Sequence, residues 1–321
     1  MSVINMKLIE TKLINQEECL VSTHLPWPCY HGKVRDCYQL KDKLLLVSTD
    51  RISAFDRILG VIPYKGQVLT QLSAWWFEKT QEIIANHFIK LITPNSMLVK
   101  CCQPLPIEVV VRGYITGTTQ TSLWTLYQQG QREFAGYRLP EHLSKNQPLA
   151  TPIITPTTKD IHDRPLSRLE LNTLPFLQAG EWEMIEKTAL ALYQFANQLL
   201  APTGLILADT KYEFGRDKNG KIILIDELHT PDSSRYWSLE NLKKSLANQL
   251  EPESFDKEIL RLWYKKHTNP YQDSELPEPP LELIQTVSAK YQQLYQLITQ
   301  QIFLKEPASC VESLASSLNK L

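Results

Sequence analysis

The 321-residue sequence is short of several things, and each shortage excludes a class of protein. No apolar run in it approaches the roughly 18 residues that a membrane-spanning helix needs. Its first residues, MSVINMKLIETKLINQEE, lack an apolar core followed by a small-residue cleavage site, so no signal peptide is expected. The six cysteines, at 19, 29, 37, 101, 102 and 310, form no CxxC pair and no Cys/His cluster with zinc spacing. They read as free thiols of a reducing compartment, and the chain as a soluble cytoplasmic protein. Neither sign of charge dominates: Lys plus Arg total 34, Asp plus Glu 35, for a net charge of -1. That balance argues against a general nucleic-acid or membrane-surface binder, while leaving room for a local basic pocket. Glycine is scarce, 11 of 321 residues, about half the ordinary usage. No internal repeat or low-complexity tract is present.

What is there is globular. Apolar residues make up 43% and charged residues 21%, enough to build a sizeable core and too apolar for a disordered chain. The length suggests about two domains. A hairpin is expected over 34–49, with Val34–Leu40 and Lys43–Thr49 around Lys41 and Asp42. A helix is expected over 67–84, with Val68, Leu69, Leu72, Trp75 and Trp76 on one side. Short strands are expected at Met97–Cys102 and Ile107–Val111, separated by Pro104 and Pro106 at a candidate hinge. Residues 140–180, rich in Pro, Thr and charge, read as extended loop. Residues 181–200 read as a helix, Leu205–Asp209 and Ile222–Asp226 as strands. A last helix follows Leu276–Pro280, with Ile284, Val287, Tyr291, Leu294, Ile298 and Ile302 on one stripe. Hairpins and segregated helices together predict an α+β fold.

The most informative segment is LILADTKYEFGRDKNGKIILIDE, residues 205–227. In a strand the side-chain period is two, so Asp209, Lys211 and Glu213 share a face. Asn219-Gly220 signals a two-residue hairpin turn. Pairing about that turn sets Glu213 opposite Asp226, and a four-residue loop keeps both on one face; an odd-length loop breaks this. Facing carboxylates repel, and a divalent cation such as magnesium removes the repulsion. The plainer alternative is two solvated carboxylates paired with lysines.

Four further segments carry candidate chemistry. In His31-Gly32-Lys33-Val34-Arg35-Asp36, backbone amides with Lys33 and Arg35 suit phosphates; the alternative is an ordinary turn. The run from Pro106 to Thr118 delivers Arg112 into a loop with Gly113, Thr116, Gly117 and Thr118, which suits a phosphate monoester or is a surface arginine after a buried strand. Thr230 to Trp237 contains Asp232, Ser233, Ser234 and Arg235, a grip for a sugar phosphate or a helix N-cap. Ser48 to Asp56 ends a strand with polar residues, as turns or as ligand contacts.

Taken in order, GKVRD, STDRISAFD, LPIEVVVRGYITGT, LADTKYEFG and IDELHTPDSSRYW resemble the SAICAR synthetase (phosphoribosylaminoimidazole-succinocarboxamide synthase) family of purine biosynthesis. The resemblance covers residues 30–240. The length and the GKVRD loop are similar to the longer, yeast-like branch. It implies an ATP- and magnesium-dependent ligase that joins L-aspartate to the carboxylate of 5-amino-1-(5-phosphoribosyl)imidazole-4-carboxylate. It also implies a kinase-small-lobe-like N-terminal domain, 1–104, and an ATP-grasp-like domain with C-terminal helices, 105–321. By the same resemblance, Gly32, Lys33, Val34 and Arg35 cover the nucleotide, and the strand end Lys100–Cys102 offers backbone groups to adenine. Glu213 and Asp226 hold magnesium, Lys211 faces the phosphates, and Asp209 orients the aspartate amine or takes its proton. Arg112, Thr118 and Arg235 take the ribotide phosphate, with Asp232 and Ser234 near its sugar. Ser53 and Asp56 lie toward the imidazole and aspartate. Two departures stand out. The family usually has Ser where Thr118 stands, and the loop after Lys159, with His162 and Asp163, diverges from the usual HDENI. A kinase-like small-molecule phosphotransferase is the alternative activity.

Overall fold

Alternating apolar residues build the strands, and their pairing decides which faces are left for chemistry. The computed structural model describes residues 19–159, 163–171 and 173–307. Two compact units are present. One comprises the described residues up to Gln71, Ile89–Val99 and those from Ile259 onward; the other comprises Leu72–Phe88 and Lys100–Glu258.

In the first unit the strands are β1 (Cys29–His31), β2 (Arg35–Leu40), β3 (Lys43–Ser48), β4 (Arg51–Ala54) and β5 (Arg57–Val61). Helix α1 (Lys65–Lys79), whose residues from Leu72 onward are assigned to the second unit, β6 (Phe88–Thr93) and β7 (Ser96–Lys100) follow in the chain. Five strands form a sheet in the order β1-β2-β3-β7-β6, and β4 pairs with β5. The expected hairpin forms: β2 and β3 pair from Arg35↔Ser48 to Leu40↔Lys43, around Lys41 with φ 49°. Leu20, Tyr38, Leu45 and Val47 form a buried cluster there. Helix α1 is shorter than the expected 67–84, stopping at Lys79, where the Thr80 hydroxyl donates to the Trp76 carbonyl at 2.8 Å. At its start the buried Asp50 carboxylate accepts the N–H groups of Gly66 and Leu20, each at 2.8 Å.

The second unit contains β8 (Gln103–Tyr114), α2 (Leu123–Gln128), β9 (Glu133–Phe134), β10 (Tyr137–Arg138), β11 (Pro148–Thr158) and α3 (Arg168–Leu171). It continues with α4 (Glu181–Leu200), β12 (Leu205–Arg216), β13 (Ile222–Ile225), β14 (Ser234–Ser238) and α5 (Leu239–Asn248). Its sheet runs β11-β8-β12-β13, with β14 also pairing with β12. Two sequence expectations fail here, both over proline. Pro104 and Pro106 lie inside β8 rather than breaking it. They sit beyond its last pair with β11, Ile107↔Thr158, and beside a bulge in β12 at Glu213/Gly215. Residues 148–158, expected as loop, form edge strand β11, where prolines cost no ladder bond on the outer side.

Helix α4 matches its expected bounds and buries Trp182, Ile185, Ala189, Leu192, Tyr193 and Ala196. The Tyr193 hydroxyl donates to the Leu207 carbonyl at 2.8 Å. That close approach requires Gly113 in β8, since a Cβ there would lie 1.9 Å from the Tyr193 oxygen. Gly113 therefore serves helix packing rather than ligand approach.

Helices α6 (Glu258–His267) and α7 (Leu281–Thr299) complete the described chain. The α7 stripe is buried from Ile284 to Ile298, but Ile302 lies past the helix end, 78% exposed. No helix among the described residues is long and apolar enough to cross a membrane. None of the described cysteines, Cys19, Cys29, Cys37, Cys101 and Cys102, is in a disulfide. The fold mixes α and β elements, with antiparallel pairing in the second unit's sheet.

Candidate active site

The two faces of β8 differ: Ile107, Val109 and Val111 are buried, while Glu108, Val110 and Arg112 are only half-buried. β12 pairs antiparallel with β8, setting Asp209 opposite Arg112, Lys211 opposite Val110 and Glu213 opposite Glu108. On its other side Asp209 pairs with Arg235 of β14. One polar face therefore carries Arg112, Arg235, Asp209, Lys211, Glu108 and Glu213, and the shared face expected from alternation at 209, 211 and 213 is present.

The Glu213 end of this face is a cluster of mixed charge. The Lys211 ammonium donates to Glu108 Oε1 at 2.7 Å and to Glu213 Oε1 at 2.8 Å. The Lys159 ammonium pairs with Glu213 Oε2. Glu213 and Glu108 form a like-charge cross-strand pair, which sheets disfavour, and Lys211 between them offsets the repulsion. Burial opposes charge on Lys211. The carboxylates of Glu213, Glu108 and Asp226 outweigh it and hold the ammonium well above its ordinary pKa.

Asp226 does not stand opposite Glu213. The observed register is Glu213↔Ile225, one residue from the expected pairing. The turn has an odd length: Asp217 N–H donates to the Lys221 carbonyl at 2.9 Å, enclosing Lys218–Gly220, with Gly220 at φ 78°. The Asp217 carboxylate fixes that turn by accepting the N–H groups of Asn219 and Lys221, both at 2.9 Å. Asp226 lies just past β13 at φ 68°, and its field reaches Lys211 from the strand end rather than from a facing rung. No group of three or more His, Cys, Asp or Glu among the described residues has metal-holding geometry.

The other end of the face is dominated by arginine. Arg235 pairs with Asp209 through Nη1 and with Glu258 Oε2 through Nη2 at 3.1 Å. The Thr118 hydroxyl donates to Glu258 Oε1 at 2.6 Å, and Arg112 Nε donates to the Thr155 hydroxyl at 2.7 Å. Burial opposes the Arg235 charge, but Asp209, Glu258 and Asp256 overcome it and raise its pKa. Burial lowers that of Arg112, resisted by Asp209 and reinforced by Arg235. Asp232 is half-buried, its N–H 3.3 Å from the Thr230 hydroxyl. Ser234 pairs with Thr210, not Asp209, so it points to the opposite face, its hydroxyl 2.8 Å from that of Thr210. It is not brought together with Arg235.

In the first unit the Gly32 N–H donates to the Arg35 carbonyl at 2.7 Å, closing a tight turn through Lys33 and Val34. Arg51 braces this turn, donating to the carbonyls of Gly32 at 2.9 Å and Lys33 at 3.1 Å and to Asp36 Oδ1 at 2.9 Å. Despite burial, Arg51 holds the Asp36 carboxyl below its ordinary pKa. The Lys33 ammonium meets Asp56 Oδ1 at 2.6 Å, so these two expected site residues are neighbours. Ser53 lies in β4, half-buried beside a bulge. The Lys100 N–H donates to the His87 carbonyl at 2.8 Å, and the Cys102 thiol, its pKa pushed up by burial, lies 3.5 Å from the Lys100 carbonyl.

Glu108, Lys159, Thr155 and Glu258 were not picked out by sequence reasoning. The spacing 108, 110, 112 held a signal for Glu108, on the strand face of Arg112. Glu258 carried none, being far along the chain. His229 was also missed: its Nε2 lies 2.6 Å from the Tyr212 hydroxyl, and burial pushes the imidazole down to about 3. Of the divergent loop after Lys159, His162 lies outside the described residues.

The Gly32 turn, β8 and the β12–β13 hairpin all fall within residues 28–277, which match the SAICAR synthetase family as a whole. The chain belongs to the SAICAR synthetase family. It is 51% identical over 288 residues to the phosphoribosylaminoimidazole-succinocarboxamide synthase of Legionella pneumophila (strain Lens), covering 89% of this chain and 92% of the relative. Its fold is similar to SAICAR-synthase from Saccharomyces cerevisiae complexed with SAICAR, with TM-score 0.74, 31% identity, and coverage of 88% and 99% of the two chains. It is also similar to a SAICAR synthetase in complex with ADP, with TM-score 0.63, 27% identity, and coverage of 86% and 100%.

Proposed function

We propose that this SAICAR synthetase family member is an ATP-dependent ligase. It joins L-aspartate to the carboxylate of 5-amino-1-(5-phosphoribosyl)imidazole-4-carboxylate, giving SAICAR, ADP and phosphate in purine biosynthesis. The observation that carries this reading is the single polar sheet face, with arginines at one end and a lysine among carboxylates at the other. A carboxylate acylates poorly at neutral pH. A carboxylate oxygen takes the γ-phosphoryl group and ADP leaves; the aspartate amine then attacks the acyl carbon, phosphate leaves, and the amine gives up its proton.

Lys211 neutralises charge on the transferring phosphoryl group. Arg112, Thr118 and Arg235 bind the ribotide phosphate, with Asp232 near its sugar. Ser234, also assigned to the sugar, is turned to the opposite face, where its hydroxyl meets that of Thr210. Asp209 is engaged with Arg235, so its proposed role is orientation of the amine and of that guanidinium. Gly32, Lys33, Val34 and Arg35 bind the nucleotide phosphates. The backbone of Lys100–Cys102 binds adenine, and Ser53 and Asp56 serve the imidazole and aspartate side. The division into a kinase-small-lobe-like region, 1–104, and an ATP-grasp-like region, 105–321, and a cytoplasmic location belong to the same proposal.

Magnesium fits the donor chemistry. Glu213 and Asp226 offer hard oxygen ligands, and Glu213 Oε2 already carries a cation, the ammonium of Lys159, whose side chain is 41% exposed. When bound, the ion would neutralise phosphate charge.

The test follows labelled aspartate. With ATP and the ribotide, label should appear in an amide product with matching release of ADP and phosphate. Phosphorylated product without incorporated label would favour a kinase-like phosphotransferase instead.

A further inference from the structure

Arg235 is engaged through both terminal nitrogens, with Asp209 on Nη1 and with Glu258 on Nη2 at 3.1 Å. The second oxygen of Glu258 accepts the Thr118 hydroxyl at 2.6 Å. Both oxygens of one buried carboxylate thus meet two of the groups assigned above to the ribotide phosphate. We propose that Glu258 is a specificity-determining placeholder: its carboxylate occupies the phosphate subsite in the free protein and is displaced by an incoming phosphate monoester. This rests on the reading of Arg112, Thr118 and Arg235 as a phosphate clamp.

Charge counting supports displacement. Asp209 acts on the guanidiniums of both Arg112 and Arg235, and Glu258 and Asp256 act on that of Arg235. Among these five groups the carboxylates outnumber the guanidiniums three to two, so an entering phosphate dianion adds to an excess of negative charge. Two of the carboxylates are fixed. Asp209 sits within β12, paired on both sides by β8 and β14. Asp256 accepts the Tyr236 N–H at 3.1 Å, the Ser254 hydroxyl at 2.5 Å and the Glu258 N–H at 2.7 Å. Glu258 is the first residue of α6, where rotation of its side chain moves the carboxylate without moving a strand.

The consequence is discrimination between anions. The proposed second substrate, aspartate, carries carboxylates that would compete for the same arginines. A carboxylate already tethered at the subsite acts at a high effective concentration and excludes free ones. A phosphate, with more oxygens and twice the charge, forms stronger charge-assisted bonds and displaces it.

The test compares wild type with Glu258→Gln, which keeps the shape and a hydrogen-bonding oxygen for Thr118. Inorganic phosphate and succinate serve as competitors against the ribotide. If the open subsite is about one molecule in ten, Glu258→Gln should bind phosphate up to about tenfold more tightly. The ribotide KM should fall in step, the KM for the dephosphorylated riboside should stay put, and succinate should begin to compete. Weaker or unchanged phosphate binding, with succinate still excluded, overturns the proposal. Arg235→Ala separates the two readings: an unaltered ribotide KM there defeats the clamp itself. A raised KM there, with no tightening in Glu258→Gln, defeats the placeholder alone. A crystal of the unsubstituted protein with phosphate gives a check free of folding effects, since Glu258 still bonded to Arg235 and Thr118 beside bound phosphate refutes displacement.

Discussion

Replacing Lys211 with methionine should damage both turnover and stability, and the structure separates the two effects. The ammonium contacts Glu108 at 2.7 Å and Glu213 at 2.8 Å, and is itself 28% exposed. Methionine keeps most of the volume but leaves two facing carboxylates with one lysine, Lys159, still on Glu213. Removing one partner of a buried pair costs about 3–5 kcal/mol; with Lys159 retained, a loss of about 2–4 kcal/mol is expected. The folded-state pKa of Lys211 is raised, so its contribution is fully present below the unfolded value of about 10.4 and is lost as pH rises through the folded value. Turnover should drop about 100-fold or more, as for loss of an oxyanion-type contact. Chemical denaturation across pH reads the first effect and ADP release the second. Adding Glu108→Gln should restore stability without restoring turnover. Wild-type stability in Lys211→Met, or recovery of turnover in the double variant, would refute this account.

Glu213→Gln and Asp226→Asn should each shift the magnesium requirement for turnover to higher concentration while leaving cooperative unfolding intact; a double variant with the unsubstituted magnesium profile removes the metal assignment. Gly113→Ala should destabilise by about 1–3 kcal/mol or more through overpacking against Tyr193, and Tyr193→Phe should recover part of that loss; strictly additive effects in denaturant melts would count against the contact. Burial pushes the Asp50 carboxyl up to about 6, so the native state binds the extra proton and its contribution to stability falls as pH rises from about 4 to about 6. Asp50→Asn should lose that slope, and an unchanged slope between those pH values would assign it to other groups.

Local periodicity was legible in the sequence and tertiary pairing was not. Alternation placed Asp209, Lys211 and Glu213 on one face, and spacing of three and four placed helix α4, because each depends only on backbone geometry within one element. Register is different. Asp226 was expected opposite Glu213, yet one additional residue in the turn moves the pairing to Ile225 and leaves Asp226 in a left-handed conformation past the strand. Asn219-Gly220 announced a turn without fixing its length, since Asp217 decides the closure through its own side-chain bonds to Asn219 and Lys221. Proline misled for a related reason: its missing N–H breaks a strand only where a neighbour needs that bond, and position in the sheet decides the need. Glu108 meets Glu213, and Glu258 meets Arg235, across 105 and 23 positions of chain; no local pattern links them. Alternation within each strand fixes the chemistry its two faces carry. Which faces meet is set at the tertiary level, because sheet order and helix docking are settled by burial over the whole chain rather than by any one segment.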